Sequence, residues 1–390
     1  MRPLRCHATA NSSRGENHGL LPAVPALTPR VALLSYDDVP PIGGQGRYAG
    51  ALEQAMPAFD YEMEVVSARR TPWGPGLRIP KRTRRAPLDF SLWLRRRLPE
   101  VATRLRPDLW HALGGPGGVL LFRHPPTAPL VYSANHTYRT AHGRRLATRP
   151  LGTIEARAYR FSDHVISISP STAESLAKDY GVPPSKISVI PVGIATEWML
   201  PGGGYQDRDT MLFVGRLVPI KGVPQFISAF RDLSVKFPNL RAEICGEGPL
   251  YNAALATARE FGGRLQVRGR VSEAELAQSY QRSLLMVVPS RFEGLGVVAL
   301  EAMAAGTPVL ATDVPGLTDL KGGGVALVPL DDQPALLTAA AAILGDRAKW
   351  EHLSGEARET ILERFSWTVV GPQIAEVYRS VLGSKANQVA

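Results

Sequence analysis

Twelve short apolar runs rich in β-branched residues alternate with helix-length segments along this chain, in two consecutive series of six. The first series is Val31–Ser35, Met63–Val66, Leu109–Ala112, Leu130–Ser133, His164–Ser167 and Ile187–Ile190. The second is Thr210–Val214, Arg241–Cys245, Leu265–Arg268, Leu285–Val288, Val309–Ala311 and Ala326–Val328. Strands that alternate with helices confine a chain to parallel sheets covered on both faces, because the crossover between parallel neighbours is the helix itself. Two series therefore predict an α/β protein of two doubly wound, Rossmann-like domains, which 390 residues accommodate. The expected boundaries are a first domain over 30–195, a linker over 196–209 marked by Pro201-Gly202-Gly203-Gly204, a second domain over 210–365, and a last helix around Ser366–Leu382 within 366–390. Residues 1–29 carry arginines, serines and an apolar patch broken by Pro22 and Pro25; they read as a disordered tail, since a secretory leader needs a longer uninterrupted core.

Charge is divided unevenly between the two series. Residues 1–195 hold 26 Lys and Arg against 14 Asp and Glu, whereas residues 196–390 hold 19 against 21. The densest basic stretch includes Arg82, Arg84, Arg85 and the triplet Arg95-Arg96-Arg97. Such a half attracts anionic partners, a lipid headgroup or a phosphorylated acceptor, and no nucleic-acid motif accompanies it. The bland alternative is a solvated arginine-rich surface. Around the triplet, Phe90, Leu94, Leu98, Val101 and Leu105 have helical spacing and are expected to pack on the sheet, with Pro99 splitting the helix. Two cysteines, Cys6 and Cys245, do not suggest a disulfide framework and fit a reducing cytoplasm. The expected location is cytoplasmic, with peripheral contact at the inner face of an anionic membrane as the alternative.

The segment from Pro289 to Thr312 reads PSRFEGLGVVALEAMAAGTPVLAT. Glu293 falls in a loop, Gly294-Leu295-Gly296 leads into a helix from Val297 to about Ala305, and Glu301 lies one turn inside it. A helix start flanked by glycines offers unpaired N–H groups to a phosphate. A carboxylate one turn in can accept both hydroxyls of a ribose, and one in the loop can reach a sugar hydroxyl. Taken alone, the segment is equally a buried crossover whose glutamates cap and solubilise.

The start of the second series adds weight to the first reading. Gly215-Arg216 leaves the end of a strand and Lys221-Gly222 follows in the same loop, two cations placed to hold a diphosphate. Cys245-Gly246-Glu247-Gly248-Pro249 and Gly269-Arg270-Val271 repeat the strand-then-loop form at the same edge. In order and spacing, these pieces resemble the family-4 glycosyltransferases of the GT-B fold, over roughly Arg30 to Leu382. Gly43-Gly44, Val165–Leu176, Ile187–Gly193, Gly215-Arg216, Lys221-Gly222, Cys245–Pro249 and Glu293 to Pro308 carry the likeness.

The resemblance implies two domains facing across a cleft, with the last helix crossing back to the first domain. It implies a UDP-, GDP- or ADP-type sugar donor, with Arg216 and Lys221 on the diphosphate, Glu301 on the ribose and Glu293 and His136 on the donor sugar. Gly43, Gly44, Gly215, Gly246, Arg270, Val271, Gly294, Leu295, Gly296 and Val297 would complete the donor site. It also implies retained anomeric configuration, for which no carboxylate here is an obvious nucleophile. A front-face route to a hydroxyl acceptor, anionic or lipid-linked in one reading, is the expectation, with no metal and no other cofactor. Two segments depart from the family: Pro191-Val192-Gly193-Ile194-Ala195 lacks the usual acid, and Val314-Pro315-Gly316-Leu317-Thr318-Asp319 has proline for glycine and aspartate for glutamate.

Competing motifs are weaker. Gly44 to Ala49 forms a G-x-G-x-x-A string, but Asp37–Ile42 separates it from its strand, which disfavours a dinucleotide-dependent oxidoreductase. A non-catalytic nucleotide-sugar-binding protein is the remaining alternative. His111, at the end of another strand, is a lesser cleft candidate. Asp207-Arg208-Asp209 mimics a metal-binding D-x-D but reads better as a solvated turn.

Overall fold

A computed structural model describes residues 28–38, 43–68, 70, 86–142, 148–195 and 202–389. Nearly all of the expected tail, Arg82, Arg84, Arg85 and residues 196–201 of the expected linker lie outside the described residues.

The first series forms β1 (Arg30–Ser35), β2 (Glu62–Ser67), β3 (Leu109–Gly114), β4 (Leu130–Ala134), β5 (His164–Ser167) and β6 (Ile187–Val189). All pair in parallel in the order β2-β1-β3-β4-β5-β6. The second forms β7 (Thr210–Val214), β8 (Arg241–Cys245), β9 (Leu265–Gly269), β10 (Ser283–Val288), β11 (Val309–Thr312) and β12 (Val325–Val328), again parallel, in the order β12-β11-β10-β7-β8-β9. The central strands β3 and β10 are buried at every position, as expected of strands with helices on both faces.

On the first sheet lie α1 (Gly44–Ala55), α2 (Ala86–Leu105), α3 (Tyr138–His142), α4 (Arg149–Phe161) and α5 (Pro170–Tyr180). On the second lie α6 (Val223–Lys236), α7 (Tyr251–Ala258), α8 (Glu273–Gln281), α9 (Val297–Ala304), α10 (Gln333–Leu344) and α11 (Arg347–Thr360), before the long α12 (Trp367–Val389).

Pro99 does not split α2, which corrects the sequence expectation. A proline leaves the carbonyl four residues back without its helical donor. Here that carbonyl, of Arg95, accepts from Arg123 Nη2 at 3.2 Å, and buried Phe90, Leu94, Leu98 and Val101 hold both halves of the helix against the sheet.

The end of the chain is fastened to the first sheet. Ile194, just past β6, bridges to Ser366, and the ring of Trp367 lies against Gly193. Further along α12, Tyr378 meets the Tyr61 ring edge-on at 5.0 Å, and Tyr61 donates to the Ala375 carbonyl at 3.2 Å. One apolar cluster consequently runs from Leu33 and Tyr48 through Ile374 and Tyr378 to Met303 and Leu317, joining the two units. Residues 202–209, expected as linker, are anchored to the second unit: buried Arg208 donates to the Ser283 and Ala305 carbonyls and to Thr307.

In a doubly wound sheet the ligand crevice opens where the strand order reverses, outside the carboxyl ends. In the first sheet the reversal lies between β1 and β3, and in the second between β7 and β10. The loops leaving these four strands include Gly43-Gly44, Gly115–Gly118, Gly215–Lys221 and Pro289–Gly296.

Candidate active site at the two crevices

On the second unit, β7 ends in Gly215, whose N–H donates to the Cys245 carbonyl at 3.0 Å. Gly246 follows β8 so closely that a Cβ there would lie 1.9 Å from the Gly215 oxygen; only glycine permits this approach. Arg216 stands exposed at the mouth. Lys221 closes a short 3₁₀ turn and turns inward, its ammonium 2.5 Å from Glu293 Oε1. Ser290 donates to the same oxygen at 3.0 Å. The sequence reading placed this lysine and this glutamate on different parts of a donor; in the structure they are also partners of one another. Gly246, Arg270 and Val271 extend the same edge past β8 and β9, with Arg270 exposed and Val271 packed on the core.

Helix α9 begins at Gly296 with no side-chain cap, so its first N–H groups are available to an anion. Leu295 is buried and Val297 half-buried beside it. On the first unit, α1 likewise begins at Gly43 without a side-chain cap, and there is open space around Gly43 and Gly44. The Gly43 N–H is held by Asp37 Oδ2 at 2.8 Å, and Gln45 donates to the Gly114 carbonyl at 2.7 Å, tying α1 across the β1–β3 reversal.

Around these loops the two units touch one another. Gly294 comes so near the first unit that a Cβ would sit 2.5 Å from the Asn135 carbonyl oxygen and 3.4 Å from His136 Nδ1. The His136 ring meets Phe292 edge-on at 5.5 Å. Asn135 Oδ1 is buried there with no hydrogen-bond partner among the described residues. Arg47 of α1 pairs with Glu301 Oε1, and Tyr280 of α8 donates to Glu301 Oε2 at 2.7 Å. Ser171 at the start of α5 donates to Asp319 Oδ2 at 2.8 Å, so the aspartate that departs from the family pattern serves as a contact between the units.

Arg47, Tyr280 and Asn135 received no role from the sequence. For Arg47 a local hint existed: it is a lone cation in the first turn of a helix that otherwise buries Tyr48, Ala49 and Leu52. His111 is removed from the cleft candidates. It is fully buried, its Nδ1 is 2.6 Å from Tyr378 Oη and its Nε2 2.7 Å from Ser133 Oγ. Burial pushes its pKa down to about 3, so it is a neutral link between β3, β4 and α12. Asp207 and Asp209 are exposed and bond locally, to the Gly204 N–H and the Thr210 hydroxyl. Among the described residues no three His, Cys, Asp or Glu side chains cluster as metal ligands.

Comparison with known proteins bears on the family and the fold. Residues 42–198 match the family model described as glycosyltransferase family 4, and residues 197–360 that described as glycosyl transferases group 1. A D-inositol 3-phosphate glycosyltransferase from Nocardiopsis dassonvillei is 30% identical over 362 residues, covering 83% of this chain and 82% of the relative. A glycogen synthase from Mycobacterium tuberculosis is 28% identical over 400 residues, covering 90% and 94%. Among solved structures, Anabaena HepE in complex with UDP and glucose superposes with a TM-score of 0.66 at 18% identity, covering 90% of this chain and all of that one. With two parallel six-stranded sheets and a site at their reversals, the chain belongs to the family-4, group 1 glycosyltransferases of the GT-B fold.

Proposed function

We propose that this glycosyltransferase moves a hexosyl group from a nucleoside-diphosphate sugar to an acceptor hydroxyl with retention of anomeric configuration and without a metal ion. The observation that carries the reading is the convergence of Lys221, Glu293, Glu301 and the uncapped start of α9 on the facing crevices. UDP is the first nucleotide to try, because it is held by HepE, which shares the fold.

In this reading the diphosphate lies between the α9 start, Arg216 and Lys221, with Gly43 and Gly44 approaching from the first unit. The anomeric carbon–oxygen bond to the β-phosphate breaks and its electron pair goes to the phosphate. The acceptor oxygen bonds to the same face of the anomeric carbon and gives its proton to the departing phosphate oxygen. Arg216, Lys221 and the helix dipole stabilise the charge that develops on the leaving group, which is where fixed positive charge accelerates the step. Glu293 and His136 border the donor sugar, and the orphaned Asn135 Oδ1 offers an acceptor for one of its hydroxyls. Nucleoside-diphosphate release across a panel of UDP-, GDP- and ADP-sugars tests the reading. Binding of NAD with no response to any sugar donor would contradict it.

The proposed acceptor is anionic or lipid-linked, approached from the first unit. Helix α2 exposes Arg95, Arg96 and Arg97, and Leu92 beside them is 39% exposed. Among the described residues no helix is long and apolar enough to cross a membrane. Contact of this face with an anionic lipid surface gains about 1 kcal/mol per basic residue and is screened by salt. Co-sedimentation with anionic vesicles is expected at low salt and lost at high salt. Equal, negligible pelleting with neutral and anionic vesicles at low salt would contradict the membrane contact.

A further inference from the structure

Glu301, the carboxylate that the family resemblance puts on the donor ribose, is held from both units at once. Tyr280, on α8 of its own unit, donates to Oε2 at 2.7 Å, and Arg47, on α1 of the opposite unit, pairs through Nη1 with Oε1. The glutamate is 3% exposed, whereas the arginine side chain is 26% exposed, so the guanidinium lies at the rim and the carboxylate at the floor. A carboxylate has about four acceptor positions, and these two donors occupy one on each oxygen. One position remains on each oxygen, which is what a 2′,3′-diol requires. The charge of Glu301 holds the Arg47 guanidinium well above its ordinary pKa, so the pair is a charge-assisted one.

We propose that Arg47 is a positioning residue for the donor: reaching across the cleft, it fixes the Glu301 carboxylate so that its remaining lone pairs meet the ribose diol. The ribose site is then complete only when the two units are closed. Recognition of the sugar ring of the nucleotide then draws on both units at once. Tyr280 alone would leave Oε1 without a donor and the carboxylate free to turn about its last torsion. The inference rests on the donor reading above, and its test separates the two.

The experiment is calorimetric titration of the full chain with UDP, GDP and ADP and with their 2′,3′-dideoxy counterparts. Wild type, Arg47→Ala and Arg47→Lys are compared, each first checked by circular dichroism for an unchanged fold. Arg47→Ala is expected to bind the cognate ribonucleotide about tenfold more weakly, a loss on the scale of one hydrogen bond to a charged group. The dideoxy analogue, lacking the hydroxyls that Glu301 receives, is expected to bind wild type and Arg47→Ala alike. Arg47→Lys, which keeps the charge but not the fork, should recover part of the ribonucleotide affinity. Should Arg47→Ala fail to fold, Arg47→Lys carries the comparison, with a smaller loss still confined to the ribonucleotide.

Unchanged ribonucleotide binding would overturn the proposal, as would an equal loss for both nucleotides. Tighter ribonucleotide binding by Arg47→Ala would also overturn it, since Arg47 would then compete with the ribose. A wild-type protein that binds no nucleotide, or binds ribo and dideoxy forms equally, would instead overturn the donor reading of Glu301 itself.

Discussion

At the scale of single residues, the site divides into what spacing reveals and what only folding brings together. Glu293 and Glu301 are legible because the loop-then-helix placement is local, and Lys221 because it follows Gly215-Arg216 within one loop. Arg47 and Glu301 are 254 positions apart, and nothing in a single chain signals that they pair. The same holds for Lys221 with Glu293 and for Asn135 against Gly294, each joined only by the approach of two loops. The glutamates could be named from the sequence, but not the side chains that orient them. Lys221→Ala and Arg216→Ala should each lower kcat for nucleotide release by about 10²–10³ with the fold intact, the usual cost of one donor to developing charge. Equal kcat for Lys221→Ala and wild type would place the ammonium outside the reaction and leave it only an ion-pair partner of Glu293.

At the scale of elements, all twelve strands were visible because buried parallel strands leave an apolar, β-branched record in the sequence. Helix continuity at Pro99 was not, since the compensating donor, Arg123, comes from a distant loop. A second hidden element-level device is Glu155 on α4, 1% exposed. It accepts from the Tyr138 N–H at 2.8 Å, the Tyr180 hydroxyl at 2.5 Å and the Tyr159 hydroxyl at 3.2 Å, and so pins the start of α3 just after the His136 loop. Burial raises its pKa from 4.5 to about 7, even against these donors. With the folded value above the unfolded one, the folded state holds the proton more tightly. Stability from this group is therefore present below about pH 4.5, falls as pH rises towards 7, and is flat above, a loss on the order of 3 kcal/mol. Thermal midpoints measured from pH 4.5 to 8 should show that slope in wild type and a shallower one in Glu155→Gln. Superposable slopes would show that Glu155 does not titrate in this range.

At the scale of the whole molecule, the chain's two series predicted two sheets but not their strand order, and the order is what locates the site. Because the reversals fall between β1 and β3 and between β7 and β10, the glycine loop of α1 and the Glu293 loop lie at the two crevices, while Arg270 and Val271 follow the edge strand β9. The basic excess of the first half is partly visible as Arg95, Arg96 and Arg97 on α2, with Arg82, Arg84 and Arg85 outside the described residues. The C-terminal helix α12 and one shared apolar cluster join the two units behind these loops. The central claim is that this closed cleft turns over a nucleotide sugar. Its most direct test is nucleoside-diphosphate release from UDP-, GDP- and ADP-sugars, with and without a chelator. Release from at least one sugar donor, undiminished by the chelator, is the predicted result. Release from none of them, together with binding of NAD, would contradict it.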